Sequence, residues 1–539
     1  MATGVTRQRA PSKRIWRPHR RSLHNPSRPC RRRRPASLSH SLFTGTSSIG
    51  VAVSIERGLG FIAHLLAARI GGTAVFGTYS LALTTANSVA AYAGAGIGTT
   101  ANRFSGMYPY GTPEYTQLQR TLAMVSAQSA IVAAALLWIA AGPIASRLIG
   151  KPELTPLLHL AALSSAAIIL LECTRGFLIG QRRYAALLTL SLVAGGGMLV
   201  LIPAATFVGP MAMIGGQATA ALGAVLVCVI CARWLGLNVR TQAPAHSGPR
   251  VRLSTIWLFG LGQLLGVVGL NAAGWWTASL VSRADPTMLQ MSLYIAATQI
   301  RNVIAMAPGL VQQACYALLT EEAGAGFGGP DRVLIASTLL ASVLALALTG
   351  VAVATLPWTL GLLYGNAFRA AEPAAAIAIA TALVHMAAAP AASRLTILSL
   401  KLIGGINGIW ALAVIALGPI FIPSGGAVPA TAIMLAMHLV SAILVLACLW
   451  KKDAMPRHLT AISAPMMAGS FLLAVMGWAR YAHPEWRAAF SLAVLALTFV
   501  LIAITFRAGR ATGCVPPLAR CRDMAWGAIG GLIARRSAC

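Results

Sequence analysis

Apolar positions in this chain come in long unbroken runs separated by short polar clusters, not in the alternation of strands or the stripes of surface helices. A run of about 20 apolar residues crosses a hydrocarbon core of about 30 Å as a helix. About fourteen such runs occur, near 48–68, 76–98, 121–142, 155–179, 185–207, 211–232, 254–281, 289–318, 333–356, 373–393, 402–422, 427–449, 459–479 and 487–506. The pattern predicts an all-α polytopic membrane protein. Composition agrees, because 57% of residues are hydrophobic and only 10% charged, against about a quarter charged in an ordinary soluble chain.

The formal net charge of +30 raises the question of nucleic acid, and its distribution answers it. With the N-terminus placed in the cytoplasm, 32 of the 42 Lys and Arg fall on the inner side, seven outside, counting Arg487 at the outer edge of the last span, and three within spans. That is the positive-inside pattern, and it predicts a multi-pass protein of the bacterial cytoplasmic membrane with both termini cytoplasmic. Anionic inner-leaflet lipid accounts for the basic excess without a nucleic acid partner.

Residues 1–47 hold no acid, are rich in Arg, Ser and Pro around "RPCRRRRPAS", and are expected to be disordered. A transit peptide and an over-long translation start are the other readings of this segment. The basic stretch 507–539 is a cytoplasmic tail whose "CRDMAWGAIGGLIARR" is too short to cross and is expected on the inner surface. Nine Cys are scattered, and Cys228 and Cys231 lie in an apolar run without further Cys or His beside them, so neither a disulfide framework nor a metal site is expected. No phosphate loop or nucleotide fingerprint occurs, and no cofactor is expected.

An internal repeat runs through the chain. "FGTYSLALTTANSVAAYAGAG" lies over "MSLYIAATQIRNVIAMAPGLV" at an offset of 215, matching Tyr79 with Tyr294, Asn87 with Asn302 and Gly94 with Gly309. Gly150 pairs with Gly365 at the same offset, Arg175 with Arg394 and Arg182 with Lys401 at 219, and Pro203 with Pro423 at 220. Six spans per unit is an even number, so both copies enter from the same side and are parallel repeats. The expected organisation is a first six-helix bundle over 48–233, a cytoplasmic linker over 234–253, a second bundle over 254–450, and two additional helices over 451–506.

These residues resemble a known group. "RIGGTAVFGTYSLALTTANSVAAYAGAGIGTTANRF", "GKPELTPLLHLAALSSAAIILLECTRGFLIGQRRY" and "LGLLYGNAFRAAEPAAAIAIATAL" are similar, in that order, to segments of polysaccharide export proteins of the multidrug/oligosaccharidyl-lipid/polysaccharide (MOP) exporter superfamily, which contains the O-antigen and capsule flippases. The resemblance covers roughly residues 45–455 and carries no catalytic motif. It implies two six-helix lobes in a V, with a central cavity lined mainly by helices 1, 2, 7 and 8. It implies translocation of a polyprenyl-diphosphate-linked oligosaccharide by alternating access, with pathway glycosyltransferases and a polysaccharide polymerase as partners. A lipid II flippase and a cation-coupled drug exporter are the rivals inside the superfamily.

Charged residues inside spans are costly and default to function. Overlaying the repeats sets Glu56 opposite Asn271, Arg57 opposite Ala272 and Ala86 opposite Arg301, so the scaffold repeats while the charge does not. Arg57 and Arg301 are the leading candidates for substrate binding, since a guanidinium offers fixed paired donors to diphosphate oxygens. Glu56 is expected to orient Arg57 or to moderate its grip. Glu172 and Arg175, spaced i, i+3, share a helix face and can satisfy each other. Asn271 and Asn302 complete the candidate substrate-binding set, and Gln263, Gln299, Gln312, Gln313, Trp275 and Trp276 are further lining candidates. For Arg57 the competing reading is an internal ion pair with Glu56; for the Tyr and Asn pairs it is interhelical hydrogen bonding. An enzyme such as a membrane glycosyltransferase would need a sizeable outer loop or paired acids. The first Asp is Asp285 and the longest outer connection, around "GPIASRLIGKPEL", is about a dozen residues, so no enzyme is expected.

Overall fold

The computed structural model describes residues 38–94, 96–105, 112–234, 253–324, 332–456 and 458–511. The chain divides into Met1–Thr44, of which 38–44 are described as helix, and Gly45–Cys539, which holds everything discussed below. The described residues contain fourteen α-helices: α1 (Leu38–Ala93), α2 (Ile97–Ser105), α3 (Pro113–Pro143), α4 (Thr155–Gly180), α5 (Tyr184–Thr206), α6 (Pro210–Trp234), α7 (Leu253–Ala284), α8 (Leu289–Gly324), α9 (Arg332–Leu363), α10 (Glu372–Leu398), α11 (Leu400–Gly425), α12 (Ala427–Lys451), α13 (Leu459–Ala482) and α14 (Arg487–Ala511).

Every predicted span overlaps one of these helices, with two differences at the start. First, α1 begins at Leu38 inside the segment expected to be disordered. A helix outside the bilayer needs no apolar residues, only freedom from proline, and none occurs between Pro35 and Pro109. Residues 1–37 and the tail 512–539 lie outside the described residues. Second, the first two predicted spans form one unit, Ser48–Ala93, of 46 residues, about twice the length a crossing requires. Their turn is a single non-helical residue, Gly72, at φ 69° and ψ −174°, a conformation open to glycine. By length and apolar composition eleven helical stretches among the described residues, α1 counted once, are able to cross a membrane, and the 32-residue α7 and 36-residue α8 are also long enough. This is an all-helical, multi-pass membrane protein.

Backbone conformation carries the repeat more clearly than side-chain identity does. Positive φ recurs at Gly72 (69°) and Met288 (63°), at Gly150 (77°) and Gly365 (101°), and at Gly209 (126°) and Gly426 (61°), each pair about 215 residues apart in the register of the sequence repeat. These turns end corresponding helices, and counting crossings puts all of them on one membrane face. Within each half the fourth long helix is central. In the first, α4 packs against α2, α3 and α6; in the second, α10 packs against α8, α9, α12 and α13. The alanine-rich α10 has 89% of its apolar window buried, more than any other of these eleven stretches, because small side chains let neighbouring backbones approach. The added helices α13 and α14 pack onto α9, and α13 also onto α10.

On the face of the positive-φ turns the two halves are tied together. Lys151, 8% exposed, donates from Nζ to the carbonyls of Asp285 (2.8 Å) and Pro286 (3.1 Å) and lies 3.1 Å from Met288 Sδ. Phe76 packs against Tyr364 and Phe368, and Arg69 donates to the Leu362 carbonyl. Asp285 caps α8, accepting from the Gln290 and Thr287 amides at 2.8 Å each. Burial pushes its carboxyl upward, but these amides, the Thr287 hydroxyl and the Lys151 ammonium outweigh it and hold it below the ordinary carboxylate range. The charge that Asp285 contributes is therefore present at neutral pH and lost only as pH falls through that lowered value. Burial lowers Lys151 against the opposing pull of Asp285 and Glu153. Replacing Lys151 by Ala is expected to free the 285–288 turn, with amide hydrogen exchange there rising at least tenfold, since hydrogen bonds from a charged donor are worth about 1.5 to 3 kcal/mol each. Unchanged exchange would mean that the turn holds without the lysine.

Candidate functional site

Two polar clusters sit inside the spans, one in each half. The first joins α1 to α4. Arg175 donates from one terminal nitrogen to Glu56 and from the other to Glu172. Glu56 is 8% exposed, whereas half of the Glu172 side chain is open. Local packing explains the position. A Cβ at Gly195 would lie 3.1 Å from Glu56 Cα, so glycine lets α5 come close behind the carboxylate. A Cβ at Gly176 would fall 2.0 Å from the Gly98 carbonyl oxygen and one at Gly180 2.2 Å from that of Asn102, so α4 presents a bare face on which α2 rests beside Arg175.

This arrangement corrects one expectation. Glu56 does not pair with or orient Arg57; its partner is Arg175, 119 residues away. Adjacent residues on a helix point about 100° apart, so Glu56 turns into the bundle while Arg57 turns out of it. Arg57 is exposed and makes no hydrogen bond or ion pair among the described residues.

The second cluster joins α8, α10, α11 and α12. Arg301, half-buried on α8, donates from Nε (3.3 Å) and Nη2 (3.0 Å) to Oδ1 of the exposed Asn302. Tyr294 stands seven residues earlier on the same face of α8, and α8 packs against α10 and α12, which carry His385 and His438. The two imidazoles meet edge to face with centroids 5.4 Å apart, and His438 meets Trp410 in the same way at 5.3 Å. His438 Nδ1 lies 2.7 Å from the Met434 carbonyl. No carboxylate pairs with this cluster among the described residues. The two halves thus differ chemically: the first spends its guanidinium on two carboxylates, and the second leaves guanidinium donors unspent beside protonatable rings.

The remaining candidates scatter. Asn271 is half-buried on α7. Gln299 accepts from the Tyr364 hydroxyl at 3.0 Å, and Gln312 reaches Ser393 Oγ at 3.5 Å. Trp275 donates to Thr85 Oγ1 at 3.1 Å across the two halves, and Trp276 to the Ile415 carbonyl at 3.3 Å. The side chains of Gln263 and Gln313 lie outside the described residues. Tyr79 bonds His64 at 3.1 Å across the Gly72 turn, joining the first two spans. Reading charge alone missed His385 and His438. Their signal was present, as single histidines in the runs "ALVHMAAAP" and "LAMHLVSA", where an ionisable group calls for a reason.

Residues 42–314 match the family described as Polysaccharide biosynthesis protein. No curated protein matches the chain. Among solved structures, a multidrug-resistance MATE transporter of the MOP superfamily is similar in its outward-facing form, at TM-score 0.50 and 16% identity, covering 76% of this chain and 95% of the other. Its inward-facing form gives TM-score 0.50 and 16% identity over 76% and 97%. A MOP superfamily transporter from Pyrococcus furiosus, described as having a binding pocket of reversed polarity, gives 0.50 and 15% over 77% and 95%. At such identities these likenesses show the fold alone.

Proposed function

Since the chain belongs to the family of polysaccharide biosynthesis proteins, we propose that this membrane transporter moves a polyprenyl-diphosphate-linked oligosaccharide across the bacterial cytoplasmic membrane by alternating access of its two halves. The observation that carries the reading is Arg301, a guanidinium within a span whose described hydrogen-bond acceptor is a neutral amide, Asn302. An anionic head group supplies what that site lacks. In a low-dielectric interior the attraction is stronger than in water, and the planar fork suits paired diphosphate oxygens. Arg57, exposed and unpaired among the described residues, is the second cation offered to the head group, and Asn302 and Asn271 are polar contacts for it. Glu56 and Glu172 are both paired with Arg175, and the three serve as the frame of the first half. A cation-coupled drug exporter is disfavoured because the intramembrane carboxylates of the first half are already engaged by Arg175. A lipid II flippase would use the same diphosphate chemistry and differ in the glycan; the family match favours the polysaccharide precursor.

Replacing Arg57 or Arg301 by Ala is expected to abolish surface polysaccharide while leaving the protein in the membrane. Lys is expected to rescue only partly, because an ammonium lacks the paired fork. Glycan export at the wild-type level by both Ala variants would refute the mechanism.

In the proposed orientation the face of the positive-φ turns is external and both chain ends are cytoplasmic, by parity and by the bias of Lys and Arg. A cysteine added at the C-terminus should resist an impermeant thiol reagent in intact spheroplasts. Efficient labelling from outside would reverse the assignment.

A further inference from the structure

The central helix of the second half carries an anomaly. Around His385, α10 is closed in by its neighbours, and Ala380 to Val384 together with Met386 and Ala387 are all buried, yet His385 itself is exposed. On a helix packed by α8, α9, α12 and α13, an exposed side chain opens into a space within the bundle. The neighbours of that space are chemically alike. His438 comes from α12 with its ring 5.4 Å away, and Arg301 comes from α8, which packs against both α10 and α12. The close approach of His438 Nδ1 to the Met434 carbonyl makes this nitrogen the donor, which leaves Nε2 as the basic position in the neutral ring.

We propose that His385 and His438 form a proton-binding site whose occupancy is linked to an anion held at Arg301. The proposal rests on the diphosphate reading of that arginine given above. In the empty site a proton on either imidazole meets the guanidinium and gains no carboxylate partner. An anion at Arg301 removes that repulsion and attracts the imidazolium. Ligand and proton therefore bind cooperatively, and by reciprocity each strengthens the other by the same factor. The proton comes from bulk water to Nε2 and returns to it when the ligand leaves, and no bond to the ligand forms or breaks. Among the described residues the groups placed around the pair are Arg301 and Tyr294 on α8, His438 itself on α12, and the uncharged indole of Trp410 on α11. The Glu372 to Arg480 ion pair lies at the other end of α10, about 20 Å along the helix.

The test uses the full chain purified in lipid nanodiscs and farnesyl-diphospho-glucose as the probe, a diphosphate diester that does not itself titrate near neutrality. Titration calorimetry in two buffers of different ionisation heat reads affinity and proton uptake together. Wild-type protein is expected to bind roughly tenfold more tightly at pH 6 than at pH 8, the scale for one linked proton, with net proton uptake. His385→Gln with His438→Gln should retain the pH 8 affinity and lose both the pH dependence and the uptake. His385→Gln alone, at the exposed position, should reduce them in a protein of unaltered folding. Wild-type binding that is equal at pH 6 and pH 8, or linkage that survives in the double variant, overturns the proton site and leaves the diphosphate reading standing. Failure of the probe to bind at any pH overturns both.

Discussion

Replacement of Arg480 by Ala is expected to be among the most destabilising single changes in the chain, lowering stability by about 3 to 5 kcal/mol. The side chain has no exposed surface. Its Nε donates to Glu372 Oε1 at 2.7 Å, and its Nη1 donates to the carbonyls of Val353 (2.6 Å) and Ala354 (3.2 Å) and to Ser491 Oγ (3.3 Å). One guanidinium thus pins α13 to α9, α10 and α14. The helices are close at this point, since a Cβ at Gly477 would lie 2.3 Å from the Ala376 Cβ. Removing Arg480 leaves the Glu372 carboxylate, 1% exposed, buried without its counter-charge. The cost comes mostly from that orphaned charge. Replacing both members of the pair by Met should therefore recover most of the loss, because an apolar pair of similar volume is often as stable as a buried ion pair. Thermal unfolding of the purified protein measures both. Wild-type stability in Arg480→Ala would refute this account, and equal losses in the single and double variants would place the cost in packing.

The second large effect is expected at Arg175. Its loss strands Glu56, whose Oε2 already has no hydrogen-bond partner. Arg175→Ala is expected to cost about 3 kcal/mol or more, and Glu56→Gln in the same chain should restore much of it, since a neutral amide tolerates the site. Glu172→Ala is expected to change little, because that carboxylate is half in the open and such pairs contribute at most about 1 kcal/mol. A double-mutant cycle measures the coupling directly. Coupling of Arg175 to Glu172 as large as that to Glu56 would contradict the burial-based ranking.

The sequence by itself determined the class, the crossings and the repeat. A bilayer admits a helix only where about 20 apolar residues run together, so hydropathy places α3 to α14, while several ends differ, as at α3, which starts at Pro113 rather than near 121. Turn positions were legible where glycine is physically required, as at Gly150 and Gly365. Met288 shows the limit, because there a positive φ falls on a residue type that gives no such signal. The i, i+3 pairing of Glu172 with Arg175 was readable because both residues share one helix.

Pairings between helices were decided by the tertiary structure alone. Spacing along the chain says nothing about which faces meet. Glu56 therefore looked like the companion of its neighbour Arg57, when its counter-charge comes from α4. Arg480 stands just beyond the predicted span 459–479, yet packing buries it completely. Lys151 likewise counted only as a loop charge, and the fold makes it a bridge between halves. His385 and His438, far apart on separate spans, become one site only when α10 and α12 are laid against α8. The physical reason is common to all four. Hydropathy is a property of one segment in its solvent, whereas an intramembrane charge is stabilised or made reactive by whichever partner packing delivers to it.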